Sequence, residues 1–427
     1  TAPPRSTRMI SDAKYKGKDF DKRKGRMIVQ GFKQIKNVHY DGKVFTPAPS
    51  QYTQKILMAL VAGKKFKIKS WDVSQAYTHG ERVKPIALSY PTGFKRRGKN
   101  GEELFMIARR QHYGEKGAGR GWGLTRTREI RKMYNNERYS CHVCSSDPCL
   151  NVIVRWGKEG KPMGYKMDGF GGEKRGGGAC LNPSNQPPSP KSPLPSSFST
   201  VKEKVTVTDQ SRSDFDGPVT GSFSWKKFEE NGGPTPDGNS LPLPSYAQVK
   251  EVERLGGVVS YMSVYTDDID CVGPDEGVLE EIYQTMNGVW ESREVDSNFM
   301  LGIKRDFYTD EKGVNCVRMS QPDFIENAFA VEFEQYANPY LTGRKKFPTV
   351  PISPGTFLSK GDAGKDAEEQ KAVQDMGYQK LCGILIWACR GTMCECCFAV
   401  SQLCKLMSGP SYKDFDRGIQ LLAYMNS

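Results

Sequence analysis

Apolar positions recur at helical spacing in "PAPSQYTQKILMALVAG", where Tyr52, Ile56, Leu57, Leu60 and Val61 form one stripe. With Ser50 as N-cap and Gly63 as the stop, this segment predicts an amphipathic helix. The period then changes. In "FKIKSWDV", Phe66, Ile68, Ser70 and Asp72 share one face and alternate with lysines, which predicts a strand. "SSDPCLNVIVRW" (Ser145 to Trp156) predicts a second strand, announced by a Ser-Asp-Pro turn. "VVSYMSVY" predicts a third, expected to pair antiparallel with the second. Ahead of these, residues 1–45 are basic and loop-rich, with one apolar stretch at "RMIVQGF". The glycines of "HYGEKGAGRGWG" (His112 to Gly123) predict a loop leading towards a helix. From about Gln321 the pattern is mostly helical. The last helix opens near Ser411 and carries Ile419, Leu422 and Met425 on its apolar side. The chain starts at Thr1 and stops inside that helix, so the expectation is a fragment of a longer polyprotein.

One stretch follows no period. Eleven of the 26 prolines fall between Pro183 and Pro244, a stretch that follows "GGEKRGGG" and contains "PPSPKSPLPSS". Such a composition buries too little apolar surface to offset its ordering entropy, which predicts a disordered, low-complexity insert over residues 157–255. The rest is long enough for two or three domains or subdomains. With 37% hydrophobic residues and a mean hydropathy of −0.60, the chain lies on the polar side for a globular protein. Lys and Arg outnumber Asp and Glu by 62 to 49, and the resulting formal charge of +13 suits a polyanionic partner. No apolar leader is present, and the longest apolar run, Leu381 to Cys389, is too short to span a bilayer. An intracellular protein with no membrane partner is expected, neither secreted nor anchored. The twelve cysteines then read as reduced thiols. "CHVC" and "CECC" lack a second ligand pair at zinc-finger spacing and read as buried thiols.

The candidate chemistry sits where alternation is interrupted. In "VVSYMSVYTDDIDCV" two carboxylates, Asp267 and Asp268, are adjacent. Side chains alternate across a strand, so the pair converges on one site only at a turn. Converging carboxylates repel and raise each other's pKa, a conflict that a hard divalent cation such as Mg²⁺ removes. Asp72, at the end of "FKIKSWDV", is a third candidate ligand. Three carboxylates holding two metal ions about 4 Å apart suit in-line phosphoryl transfer. A lone Asp-Asp pair is more often an exposed turn without function, so its surroundings decide.

Those surroundings resemble, in order along the chain, the reverse transcriptase of copia-type retrotransposons. "KGRMIVQGFKQIKNVHYDGKVFTPA" is similar to the family's fingers segment, and "IKSWDVSQAYTHGE" to the block with its first catalytic aspartate. "SYPTGF", "HYGEKGAGRGWG", "SSDPCLNV", "VYTDDI", "FMLGI" and "MSQPDFIENA" follow. "YQKLCGILIWACRG" and "AVSQLCKLMSGPS" resemble the end of the domain. Only residues about 157 to 255 lie outside the match.

The resemblance implies an α+β, right-hand polymerase fold of fingers, palm and thumb with an antiparallel palm sheet. Residues 1–156 would be the fingers and the first part of the palm. The insert follows at 157–255, then the rest of the palm at 256–310 with the Asp-Asp turn and a primer-grip-like hairpin. Residues 311–427 would be a helical thumb or connection region, cut before an RNase H domain. The implied activity is that of an RNA-directed DNA polymerase within a Pol polyprotein. It would extend a primer on an RNA or DNA template with dNTPs, using two Mg²⁺ ions, with Mn²⁺ as a substitute. Asp72, Asp267 and Asp268 fall on the family's catalytic, metal-binding carboxylates, with the Val73 carbonyl a further ligand. Tyr77 falls on the aromatic beneath the incoming sugar, which excludes a 2′-hydroxyl. Lys24, Arg26 and Arg120 fall among nucleotide-binding residues, and Phe299, Met300, Leu301 and Gly302 on the hairpin that positions the primer end. Integrase and RNase H are expected on the parent polyprotein, and the location is the cytoplasm, in virus-like particles, and the nucleus.

The sequence departs from the family where a Lys-Gln-Ala-Pro-Arg element is usual. Here it reads "EKGAGRGW", with Gly117 for the glutamine and Gly119 for the proline, while Arg120 and Trp122 are retained. This departure and the long insert leave a second expectation standing: an inactive remnant that only binds nucleic acid.

Overall fold

The computed structural model describes residues 4–16, 19–40, 42–161, 243–359, 364 and 366–427. Most of the stretch read as an insert, residues 162–242, therefore lies outside the described residues. The chain opens on an antiparallel hairpin, β1 (Thr7–Lys16) and β2 (Asp19–Val29), where loops were expected. Its strands are rich in charge, with few apolar residues to set a period-two signal.

Helix α1 (Gln51–Lys64) starts as expected, with the Ser50 side chain accepting from the Tyr52 N–H. It ends at Lys65, which takes a left-handed conformation (φ 56°), rather than at Gly63. Its buried face is also rotated from the expected stripe. Thr53, Gln54, Leu57 and Met58 face inwards, whereas Tyr52 and Ile56 are exposed. Asp147 explains part of this rotation. Its carboxylate accepts from the Ser50 N–H (2.8 Å) and the Thr53 hydroxyl (2.5 Å), so the Ser-Asp-Pro turn holds the start of α1.

The chain continues through β3 (Lys67–Val73), α2 (Ala76–His79), the paired strands β4 (Glu81–Ser89) and β5 (Phe105–Arg110), and α3 (Ala118–Met133). Then come β6 (Tyr139–Val143), β7 (Leu150–Arg155), α4 (Tyr246–Arg254), β8 (Val258–Tyr265), β9 (Asp268–Gly273), α5 (Glu276–Asn287) and β10 (Ser292–Val295). Six of these strands form one antiparallel sheet in the order β10-β3-β9-β8-β7-β6. The expected pairing of β7 with β8 is present, from Leu150 opposite Ser263 to Arg155 opposite Val258. Helix α4 lies inside the 157–255 stretch. Ser245 caps it and its Val252 is buried against the sheet's core, so this end of the stretch belongs to the fold.

Both faces of the sheet are covered. Trp71, Val73, Met262, Val264 and Ile269 pack on one face with α3 and α5, through Trp122, Ile130, Ile282 and Met286. Val152, Val154, Val259 and Val272 pack on the other with α1 and α4. For β3, the expected single inward face is therefore incomplete, because Trp71 and Val73 are as buried as Ser70. A second, three-stranded sheet of β11 (Phe299–Met300), β12 (Ile303–Thr309) and β13 (Asn315–Ser320) lies against the α1 side through Val317 and Met319. Strand β13 falls in the stretch 311–427 that was expected to be helical.

Helices then take over: α6 (Pro322–Asn327), α7 (Glu334–Leu341), α8 (Ala367–Asp375), α9 (Tyr378–Gly391), α10 (Cys397–Cys404) and α11 (Tyr412–Met425). They share one apolar core, and Ile419, Leu422 and Met425 of α11 are buried as expected. Among the described residues no helix is long and apolar enough to cross a membrane. Cys141, Cys144 and Cys396 are buried free thiols as expected, but Cys394 and Cys397 of "CECC" are exposed, which corrects the expectation for those two.

Candidate active site

The carboxylates come together because of strand register. Asp72 on β3 lies opposite Asp268 on β9, and Asp268 lies opposite Tyr265 on β8, so the turn Thr266–Asp267 closes at the end of β3. The Val73 N–H donates to the Asp267 carbonyl at 2.9 Å and ties the two strand ends together. Thr266 holds φ 52°, in the left-handed region that a β-branched residue avoids. Such a conformation costs about 1–3 kcal/mol and persists only where neighbours impose it. Here they do so from α3. Trp122 Nε1 donates to the Thr266 carbonyl at 2.6 Å, and Arg126 Nη1 reaches the same oxygen at 3.4 Å. Trp122 is fully buried and meets Trp290 edge to face, so its indole is held in turn by packing.

This geometry concentrates negative charge. Burial and the charges of Asp267, Asp72 and Asp270 push the Asp268 carboxyl up to about 6. Arg293 reaches Asp72 only at 3.8 Å with its side chain 72% exposed, so it screens weakly. An acidic cluster under this strain fits hard divalent cations in charge and in donor chemistry. Among the described residues, however, no three His, Cys, Asp or Glu side chains stand close enough together to form a ready-made metal cage.

Tyr77 lies on α2 beside the turn, and its phenol is raised first by burial and then by the charge of Asp267. Gln75, just before this helix, is left-handed (φ 54°), which turns the chain sharply after β3. Tyr77 packs edge to face on Tyr113, with ring centroids 5.0 Å apart. The Arg26 guanidinium lies over the Tyr113 ring at 5.8 Å. Tyr113 thus links the first hairpin to the carboxylates. Its phenol too is raised by burial and then by Asp267. The Val29 N–H donates to the Tyr113 carbonyl at 2.8 Å, and a Cβ on Gly114 (φ 82°) would meet the Val29 carbonyl at 2.2 Å. A glycine is needed there for the strand and the loop to touch.

Sequence reasoning missed Tyr113. It lies in the quoted "HYGEKGAGRGWG" block, where the Gly-rich context pointed to a loop, and only the contact across to Arg26 reveals its place. Trp122 was noted as retained but given no task; its indole N–H fixes the turn.

The other expected residues scatter. The Lys24 side chain lies outside the described residues, and its backbone pairs with Asp12. Arg120 lines a different cavity, of about 750 Å³, with Arg5, Arg82 and the buried Glu115, which forms ion pairs with both. Phe299 to Gly302 form a tight hairpin between β11 and β12. Leu301 (φ 55°) and Gly302 (φ 75°) are both left-handed, the requirement of a type I′ turn. Met300 is buried and Phe299 half exposed.

No curated protein and no solved structure matches the chain. Residues 3–143, which carry Asp72, Tyr77, Tyr113 and Arg120 but not the Asp267–Asp268 turn, match the family model described as "Reverse transcriptase (RNA-dependent DNA polymerase)".

Proposed function

We propose that the chain is the RNA-directed DNA polymerase of a copia-type element, extending a primer on an RNA or DNA template with dNTPs. One observation carries the reading. Asp72 lies opposite Asp268, which follows Asp267, at the end of two paired strands, and burial and the neighbouring carboxylates raise the Asp268 carboxyl. The family match over residues 3–143 supports the same reading. Asp72, Asp267 and Asp268, with the Val73 carbonyl, would hold two Mg²⁺ ions, or Mn²⁺ in their place. When bound, such ions neutralise charge on the transferring phosphoryl group and lower the pKa of the attacking hydroxyl.

The chain's own groups do the rest. Trp122, Arg126 and Val73 hold the turn, so that the carboxylates need little rearrangement. The Tyr77 ring lies beneath the incoming sugar, braced by Tyr113. Arg26 on the first hairpin and Arg120 in the first turn of α3 supply positive charge for the triphosphate, and Lys24 is assigned to the same task. The hairpin Phe299 to Gly302 supports the primer end. In this reading residues 1–156 and 256–310 make fingers and palm, and 311–427 the thumb or connection region.

The test is primer extension by the purified chain on a primed RNA template with Mg²⁺. Extension that chelation abolishes is expected, and Tyr77→Ala should then admit ribonucleotides. A second reading, a remnant that only binds nucleic acid, draws on Gly117, which starts α3 without a side-chain cap. Salt-sensitive template binding without any extension would favour the remnant and reject the polymerase.

A further inference from the structure

Strand β12 carries an arginine where an apolar residue is expected. Ile303, Arg305 and Phe307 share one face of the strand, and Arg305 is only 2% exposed. Its Nη2 donates to Asp270 Oδ2 at 2.6 Å and to Gln54 Oε1 at 3.2 Å. Its Nη1 reaches the Ser297 carbonyl at 3.3 Å, and its backbone N–H donates to the Asn298 carbonyl at 2.7 Å. Asp270 has no exposed surface, and its other oxygen accepts from Ser70 Oγ at 2.6 Å. Gln54 in turn donates to Ser263 Oγ at 2.8 Å. Strand register places this network. Asp270 lies opposite Ser70 and Ser263, two residues along β9 from Asp268, and thus on the same face as Asp268 and one step deeper. One guanidinium therefore joins the segment entering the Phe299–Gly302 hairpin to the strands that carry the carboxylates.

Stability alone is a poor reason for such a pair. A buried ion pair is often no more stabilising than apolar residues of similar volume, because both charges must be stripped of water. Arg305 Nε, moreover, is buried with no acceptor among the described residues. A planar fork of donors does impose direction, since several acceptors must be met at once.

We infer that Arg305, through Asp270 and Gln54, is a positioning residue that fixes the Phe299–Gly302 hairpin relative to the Asp72–Asp268 strand ends. The inference rests on the polymerase reading for its effect on catalysis, while the mechanical coupling stands apart from it. Two variants of the full chain test it. Arg305→Met combined with Asp270→Leu removes both charges and keeps the volume apolar. Arg305→Lys keeps the charge and loses the fork. In hydrogen exchange, the β3, β8 and β9 amides should stay as protected as in the wild type, while amides of residues 298–304 exchange about tenfold faster or more. Template–primer affinity should hold, while kcat for nucleotide addition falls about a hundredfold in the double variant and less in Arg305→Lys. Wild-type hairpin exchange and kcat in the double variant would overturn the inference. So would global unfolding of both variants, which would make the pair a plain stability element. A wild-type chain that extends no primed template would sink the polymerase reading, and hairpin exchange alone would then uphold or overturn the coupling.

Discussion

Among the helices α6 to α11 the interior is mostly apolar, centred on Phe329, Leu381, Leu385, Leu403, Phe415 and Leu422, with Gln321, Gln402 and Asp414 its buried polar residues. The interior of the six-stranded sheet also holds Ser70, Ser263 and Asp270, joined to Gln54 and Arg305 by directed hydrogen bonds. An apolar interior is held by area and volume, and it tolerates small shifts of one side chain against another. Hydrogen bonds in a low-dielectric interior tolerate them far less, since a displaced partner leaves a buried polar group unsatisfied. The network that joins several strands through one buried charge pair lies beneath the carboxylates. The helical region is built to stay folded, and the sheet to hold positions.

Substitutions can break that contrast or sharpen it. The largest effect is expected for Asp267→Asn, which removes one charge at nearly constant shape. Extension should fall by about three orders of magnitude while template binding and melting temperature stay near wild type. Near-normal extension would remove Asp267 from the site. In the helical core, Phe415→Ala should cost about 3–5 kcal/mol of unfolding free energy, read by denaturant titration, with no specific change in nucleotide selection.

The third prediction uses pH. The folded pKa of Asp268, about 6, lies above the ordinary 3.8, so the folded state binds the extra proton between those values. Stability is then greatest below about pH 4 with respect to this group and declines as pH rises through 6. With chelator present, Asp268→Asn should remove that decline and raise stability at pH 8 by on the order of 2 kcal/mol, once the full shift is discounted for solvent screening of a half-buried group. Equal pH profiles for variant and wild type would show that the carboxylate is not under strain. The smallest effect on extension belongs to Trp122→Phe, which deletes the bond to the Thr266 carbonyl and part of the buried ring, at about 1–3 kcal/mol of stability. Its loss in extension should be larger than that stability change explains, about tenfold, because the turn is no longer held. An unchanged rate would leave Trp122 a packing residue only.

Much of the fold was legible where a period could be read. β7 and β8 were expected as neighbours and are paired in register. α11 buries the side that its spacing marked. The turn at Asp267 was legible because adjacent carboxylates cannot share a face within a strand. α1 shows where legibility ended. Its spacing put Tyr52 and Ile56 inwards, but Thr53 and Gln54 are the buried ones, since each finds a polar partner in the interior. The first hairpin was missed for a related reason, since its strands carry charge in place of an apolar alternation.

By itself, the sequence determined the apolar strands of the sheet, the interruption at Asp267 and Asp268, and the long Pro-rich break in pattern. These are local properties, written in the spacing of neighbouring residues. Only the tertiary structure decided that Arg26 meets Tyr113 beside Tyr77, that Trp122 holds the Thr266 carbonyl, and that Arg305 lies inside against Asp270. Burying a polar group is unfavourable until its partner arrives. Here the partners lie far along the chain, with Gln54 209 positions from Ser263 and 251 from Arg305. No local pattern of hydrophobic and polar residues records such a pairing, so it exists only once the strands and helices have packed.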